Sequence, residues 1–161
     1  MTAEVFDEGA PGHLHPDQYE KALVSTTSEY CVRVMVAYAG ACDGDFLMAM
    51  VFLSISLGCT QHLRNRAAKA EDFDGRFYRD SLRRPVSISS IARSLNVPIE
   101  TVRRKCARLA ELGLLDRTPS GQVVVTSASL ARSDIGAVVT DNVTALRIML
   151  DQIERMPAAF R

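Results

Sequence analysis

The sequence predicts a mainly α-helical protein that carries one small β-hairpin. Three observations predict it. Apolar residues recur at helical spacing over long stretches on either side of the chain's middle. The middle holds two short amphipathic segments separated by Asn96, Val97 and Pro98. Directly after them, Leu114 and Leu115 and then "QVVVT" flank the turn residues "TPSG".

A chain of 161 residues suits one domain, or a small domain carrying extra helices. Apolar residues make up 47%, enough for a core and too many for global disorder. Tryptophan is absent and aromatics are 6%, so the core must come from Leu, Ile, Val, Ala and Met. The formal net charge is zero but unevenly spread. Residues 1–63 carry two basic against eight acidic side chains, and residues 64–117 carry thirteen against seven. Residues 118–161 balance. A basic middle can bind a polyanion locally while the acidic N-terminal part keeps the protein soluble.

Cys31, Cys42, Cys59 and Cys106 form no CxxC pair, and three of them sit in apolar runs. They read as buried thiols of a reducing cytosol, with redox sensing by Cys31, Cys42 or Cys59 as the alternative. The first residues have neither the basic nor the apolar region of a secretory signal. The most apolar stretch, 46–57, is about a dozen residues long and contains Ser54 and Ser56. A bilayer span needs about 20 apolar residues. This stretch therefore reads as a buried helix at a core or subunit interface, and the chain as cytoplasmic with no membrane partner.

Residues 1–15 read as a disordered tail, being acidic and without periodicity. His13 and His15 have no further ligand at metal spacing, so no metal is expected there. Tyr19, Leu23, Thr26, Tyr30, Val34, Met35 and Tyr38 predict a helix over 17–41. "GACDGD" is a loop in which Asp43 or Asp45 caps a second helix, running from 46 to about 69. Residues 16–70 thus form a helical dimerisation region. "EDFDGRFYRDSLRRP" is a polar connector with at most a short helical turn.

Residues 82–127 carry the functional signal. Ser89 precedes "SIARSL" and suits the N-cap of a short helix with Ile91, Ala92 and Leu95 on one face. Asn96 tolerates the left-handed backbone of a sharp turn, and Pro98 holds Val97 extended, so that helix must end. A second helix spans about 99–112. Val102, Cys106, Leu109 and Leu112 form its buried stripe at spacings of four, three and three. Glu100, Thr101, Arg104, Lys105 and Arg108 fall on the other side, with Arg103 at the margin. Gly113 suits its C-terminal stop, and residues 114–126 form the hairpin. Helix, tight turn, helix and hairpin are the order of a winged helix-turn-helix, whose second helix protrudes far enough to enter a major groove.

"IARSLNVPIETVRRKCARLAELGLL" resembles the winged helix-turn-helix of bacterial transcription regulators. "E-T-V-x-R" followed by "L-x-x-x-G-L-L" is similar to the recognition helix of the Crp/Fnr group. In that group the Glu and Arg read base edges and the Thr contacts the backbone, roles that the resemblance places on Glu100, Arg104 and Thr101. The group often has a basic residue before the Glu, where this chain has Ile99. The resemblance covers roughly residues 85–126 and includes no cyclic-nucleotide-binding domain. The wider helix layout resembles MarR-type regulators, which are dimers held by their terminal helices.

The chemistry suits these roles. Arg can bond bidentately to guanine O6 and N7, and Glu can accept from cytosine N4. Arg103, Lys105, Arg108, Arg117 and Ser89 are candidates for the DNA backbone, with Arg83 and Arg84 just before the unit. The alternatives are a solvated helix face with Glu100 and Arg104 paired, or a winged-helix module that binds only proteins. No G-x-G-x-x-G, P-loop, H-E-x-x-H or nucleophile elbow occurs, so neither an enzyme nor a cofactor is expected. A small apolar effector near Met35, Met48 and Met50 rests on residue type alone.

A C-terminal dimerisation helix is predicted over 128–156, starting near Ser129 and ending before Pro157. Ile135, Val139, Asn142, Leu146, Met149 and Ile153 lie near heptad spacing, and Val138, Val143 and Leu150 widen the stripe. Pairing with the helix at 46–57, within and between subunits, would cover it. Asn142 either fixes register or faces water. The sequence thus predicts a homodimer that binds double-stranded DNA and regulates transcription.

Overall fold

The computed structural model describes residues 16–156. The tail at 1–15, with His13 and His15, and Pro157 lie outside the described residues. Helices α1 (Pro16–Ala41) and α2 (Phe46–Thr60) lead to a hairpin of β1 (Phe73–Asp74) and β2 (Phe77–Tyr78). Helices α3 (Ile88–Leu95) and α4 (Ile99–Glu111) precede a second hairpin, β3 (Asp116–Arg117) and β4 (Val123–Val124). Helices α5 (Ser127–Ala131) and α6 (Ser133–Glu154) follow. The fold is mainly α with two small antiparallel hairpins, a shape compatible with a winged helix.

Helix α2 is the centre of the packing. It buries Met48, Ala49, Val51, Phe52, Ile55 and Cys59 against α1 on one flank and against α3, α4 and β4 on the other. Asp43 (φ +53°) and Gly44 (φ +76°) reverse the chain between α1 and α2. Of the two aspartates, Asp45 is the cap, accepting a hydrogen bond from the Met48 amide at 2.9 Å. Gly58 lets the chain at Val86 approach α2, since a Cβ there would lie 3.0 Å from Val86 Cγ1. Val86 then exchanges main-chain hydrogen bonds with Val123, both 2.9 Å, and so extends the second hairpin. Helix α2 is long and apolar enough with its final turn, 46–63, to cross a membrane by composition; Met48, Val51, Phe52, Ile55 and Cys59 are buried in the core, and Phe46, Met50 and Leu57 are exposed.

Several sequence expectations about the helices and the connector need correction. Helix α2 ends at Thr60, with one 3-10 turn to Leu63, and does not reach 69. Beyond Leu63 the sequence "RNRAAKAED" offers no large apolar residue, so further helix would gain nothing from packing. The connector has the expected short helical turns, at Ala70–Asp72 and Asp80–Leu82, but also carries a hairpin. Gly75 (φ +62°) opens a two-residue turn between Asp74 and Phe77, the position where a type II′ hairpin favours glycine. The rings of Phe73 and Tyr78 stack at 4.6 Å.

The C-terminal helix is also divided. Arg132 is extended (ψ 144°) between α5 and α6, and its guanidinium donates to the Leu112 carbonyl at the end of α4 and to Asp134 at 2.8 Å. Satisfying an orphan helix carbonyl thus interrupts another helix. Finally, α6 packs antiparallel chiefly on α1 rather than on α2. Tyr30 Oη donates to Asn142 Oδ1 at 2.8 Å, so Asn142 faces α1 within the same chain.

The expected apolar stripe of α6 therefore splits in two. Val138, Asn142, Ala145 and Met149 lie toward α1 and the core. Val139, Val143, Leu146, Leu150 and Ile153 form a second row at spacings of four and three. Val143, Leu146 and Leu150 in this row are exposed. No residue of α1 before Val34 with described burial is fully buried, and none of α6 after Ala145. The methionines are also dispersed: Met48 is buried, Met50 is exposed on the opposite side of α2, and Met35 only borders the core.

Three of the four cysteines are buried as expected, but Cys31 lies on the part of α1 before Val34 and is exposed. Burial, reinforced by Asp43 and Asp45, pushes the Cys42 thiol up to about 11, and burial also raises Cys59 and Cys106. A maleimide or disulfide reagent at pH 8 is expected to label Cys31 alone in the native protein, read by peptide mass mapping. Rapid native labelling of Cys42, Cys59 or Cys106 would contradict this core.

Candidate nucleic-acid interface

Three local devices fix the pose of α4. Ser87, not Ser89, caps α3: its Oγ accepts from the Ser90 amide at 3.2 Å. Starting the helix at Ile88 places that side chain against the core, and Ser89 falls exposed in the first turn. Asn96 adopts the left-handed conformation (φ 52°, ψ 45°), and the Val97 amide donates to the Ala92 carbonyl at 3.0 Å. Pro98 (φ −54°) then starts α4 with its carbonyl accepting from the Thr101 amide at 3.0 Å. At the far end Gly113 (φ +69°) completes a Schellman cap: Leu114 N donates to Leu109 O and Gly113 N to Ala110 O, both 2.9 Å.

Between these ends Val102, Cys106 and Leu109 are fully buried and Leu112 half-buried, as the stripe predicts. The outward side is less uniform than its charge suggests. Glu100 pairs with Arg103, three residues on, and not with Arg104. Lys105 pairs with Asp45, and Arg108 binds Asp43 at 2.7 and 3.1 Å and Glu111 at 3.0 Å. Arg104 is exposed and is the one basic residue of α4 without an ion pair among the described residues. Thr101 is half-buried on the same side as Lys105.

The Lys105 hydrogen bond, working against partial burial, holds the Asp45 carboxyl below the ordinary carboxylate range. The Asp43 and Glu111 hydrogen bonds raise the Arg108 guanidinium further above its ordinary value. A cleft of about 320 Å³ opens between this loop and the helix, lined by Asp43, Asp45, Met48, Arg104, Lys105 and Arg108.

The second hairpin carries exposed Arg117 next to its turn, opposite Val123 and without an ion pair among the described residues. Its tip is shaped by Gly121 (φ +78°) and by Thr118, which donates its amide to Gln122 O at 2.9 Å. Arg84 is exposed, but Arg83 is not available to a ligand. Its side chain is 3% exposed, donates to the Tyr78 and Val125 carbonyls at 3.2 and 3.1 Å, and pairs with Asp80. It ties the first hairpin to the second.

Sequence reasoning missed Arg93, which is exposed on α3 beside Asn96 and Pro98 and has no ion pair among the described residues. Its position at the solvent face of the short helix was the available signal. The roles of Asp43 and Asp45 as ion-pair partners were not readable, because they lie about sixty residues from α4 in sequence. The arrangement offers a helix fixed at both ends whose outward face holds one uncommitted guanidinium among the described residues, flanked by further cations and a small hairpin. Comparison with known families, curated proteins and solved structures finds no significant match.

Proposed function

We propose that this chain is a sequence-specific double-stranded DNA-binding transcription regulator of winged-helix type, acting in the cytoplasm. Helix α4 enters the major groove and the second hairpin rests on the backbone. The observation that carries this reading is Arg104. It is exposed and without an ion pair among the described residues, on a helix whose two ends are fixed by the Asn96 turn and the Gly113 cap. A guanidinium held ready in this way can read guanine without first giving up an ion pair. Glu100 reads bases only when Arg103 turns from it toward a phosphate. Thr101, Ser89 and Arg117 serve the backbone.

The alternative, a winged-helix module for protein partners alone, draws on the exposed apolar row of α6. A second copy of this chain accounts for that row within the DNA-binding reading. The distal halves of α1 and α6 form a two-helix arm lacking a fully buried large side chain, and two such arms can make a four-helix bundle. A two-fold dimer presents two α4 helices to successive major grooves.

Sites selected from a genomic DNA library provide the test ligand. Arg104→Ala is expected to weaken binding to a selected site by about 1–3 kcal/mol and to relax sequence preference. Arg117→Ala is expected to weaken binding to all sequences and to flatten the salt slope by about 0.9. Unchanged binding of Arg104→Ala to selected and random duplexes in gel shifts would exclude α4 as the recognition helix. Sedimentation at micromolar concentration is expected to give a dimer, and a monomer there would exclude the paired arrangement.

A further inference from the structure

The loop between α1 and α2 is built to present two carboxylates to α4. Cys42 N and Gly44 N both donate to Ala39 O, at 2.9 and 2.8 Å, and Asp45 N donates to Cys42 O at 2.9 Å. With Asp43 in the left-handed region and Asp45 fixed as a helix cap, neither carboxylate is carried on a loose segment. They meet Lys105 and Arg108, which lie three residues apart on one side of α4. The cleft they share with Arg104 is open to solvent, so the acids stand beside the helix face assigned to DNA.

We propose that Asp43 and Asp45 are specificity-determining residues: they withhold Lys105 and Arg108 from DNA phosphates, so that binding depends on base contacts through Arg104. This inference rests on the DNA-binding reading above. Phosphate contacts reward every sequence alike, whereas a bidentate base contact rewards only a matching one. A recognition helix with four free cations would adhere to any duplex. With Arg103 on Glu100 and Lys105 and Arg108 on the loop, one cation of α4 is without an ion pair among the described residues. Each exposed pair is weak alone, but the carboxylates also repel phosphates that approach this flank.

The test is Asp43→Asn with Asp45→Asn. Asparagine tolerates the left-handed backbone at 43 and still caps a helix at 45, so the loop is retained. On random duplex at about 0.1 M salt, affinity is expected to rise roughly tenfold, and the salt slope to steepen by about 0.9 for each cation released. Affinity for a selected site rises less, so the specificity ratio falls. Asp43→Asn alone should give a smaller change of the same sign.

Glu71→Gln with Asp74→Asn, at the first hairpin and outside both the α4 face and the α1–α6 arm, makes the same change in net charge. It is expected to leave the slope unaltered. An unchanged slope in the loop variants, with native helicity by circular dichroism, would overturn the inference, as would equal steepening in the first-hairpin control. If the wild-type chain binds no duplex even at low salt, the DNA-binding reading fails and this inference falls with it. Wild-type binding with unresponsive loop variants sinks the inference alone.

Discussion

The burial of α2 is the constraint on which the rest of this structure depends. Its wide apolar face, from Met48 through Cys59, supports α1 on one flank and α3, α4 and β4 on the other. Both of its ends also act on the neighbouring parts. The Asp45 cap that starts α2 holds Lys105 of α4, and Gly58 near its end admits Val86 to the second hairpin. Because side chains in a packed core have little room to shift, these contacts fix α4 relative to the whole helical frame.

Rigid placement gives the outward face of α4 its meaning. A helix can be basic and still have few cations to offer, because charge and availability are separate properties. Glu100, Asp43 and Asp45 occupy three of the four basic side chains, and Arg104 is left to solvent. The functional reading consequently rests on an arrangement of charges about sixty residues apart in sequence, not on the total charge of the basic middle. Arg83 makes the same point in the opposite direction. It lies in the basic run before α3, yet its guanidinium is buried and joins the two hairpins.

The α3–turn–α4 unit was legible because its signals are local and mutually consistent: Asn96 and Gly113 at left-handed positions, Pro98 at a start, and an apolar stripe between. Other features depend on distant partners. The apolar arc of α6 holds two rows, and no spacing rule says which one meets α1. The break at Arg132 serves the Leu112 carbonyl, twenty residues away, and carries no Pro or Gly to announce it. The first hairpin did carry an Asp-Gly signal, but two-residue strands are too short to show a period. Ser87 and Ser89 are both good caps, and the core contact of Ile88 decides between them.

Backbone amide shifts during titration of the isotopically labelled chain with a short mixed-sequence duplex at low salt would test the DNA-contacting face most directly. Binding through α4 requires shifts concentrated in residues 99–108 and at the hairpin tip, 118–122, with the distal halves of α1 and α6 unmoved. Shifts confined to those distal halves, or none at all, would contradict a DNA-binding role for α4.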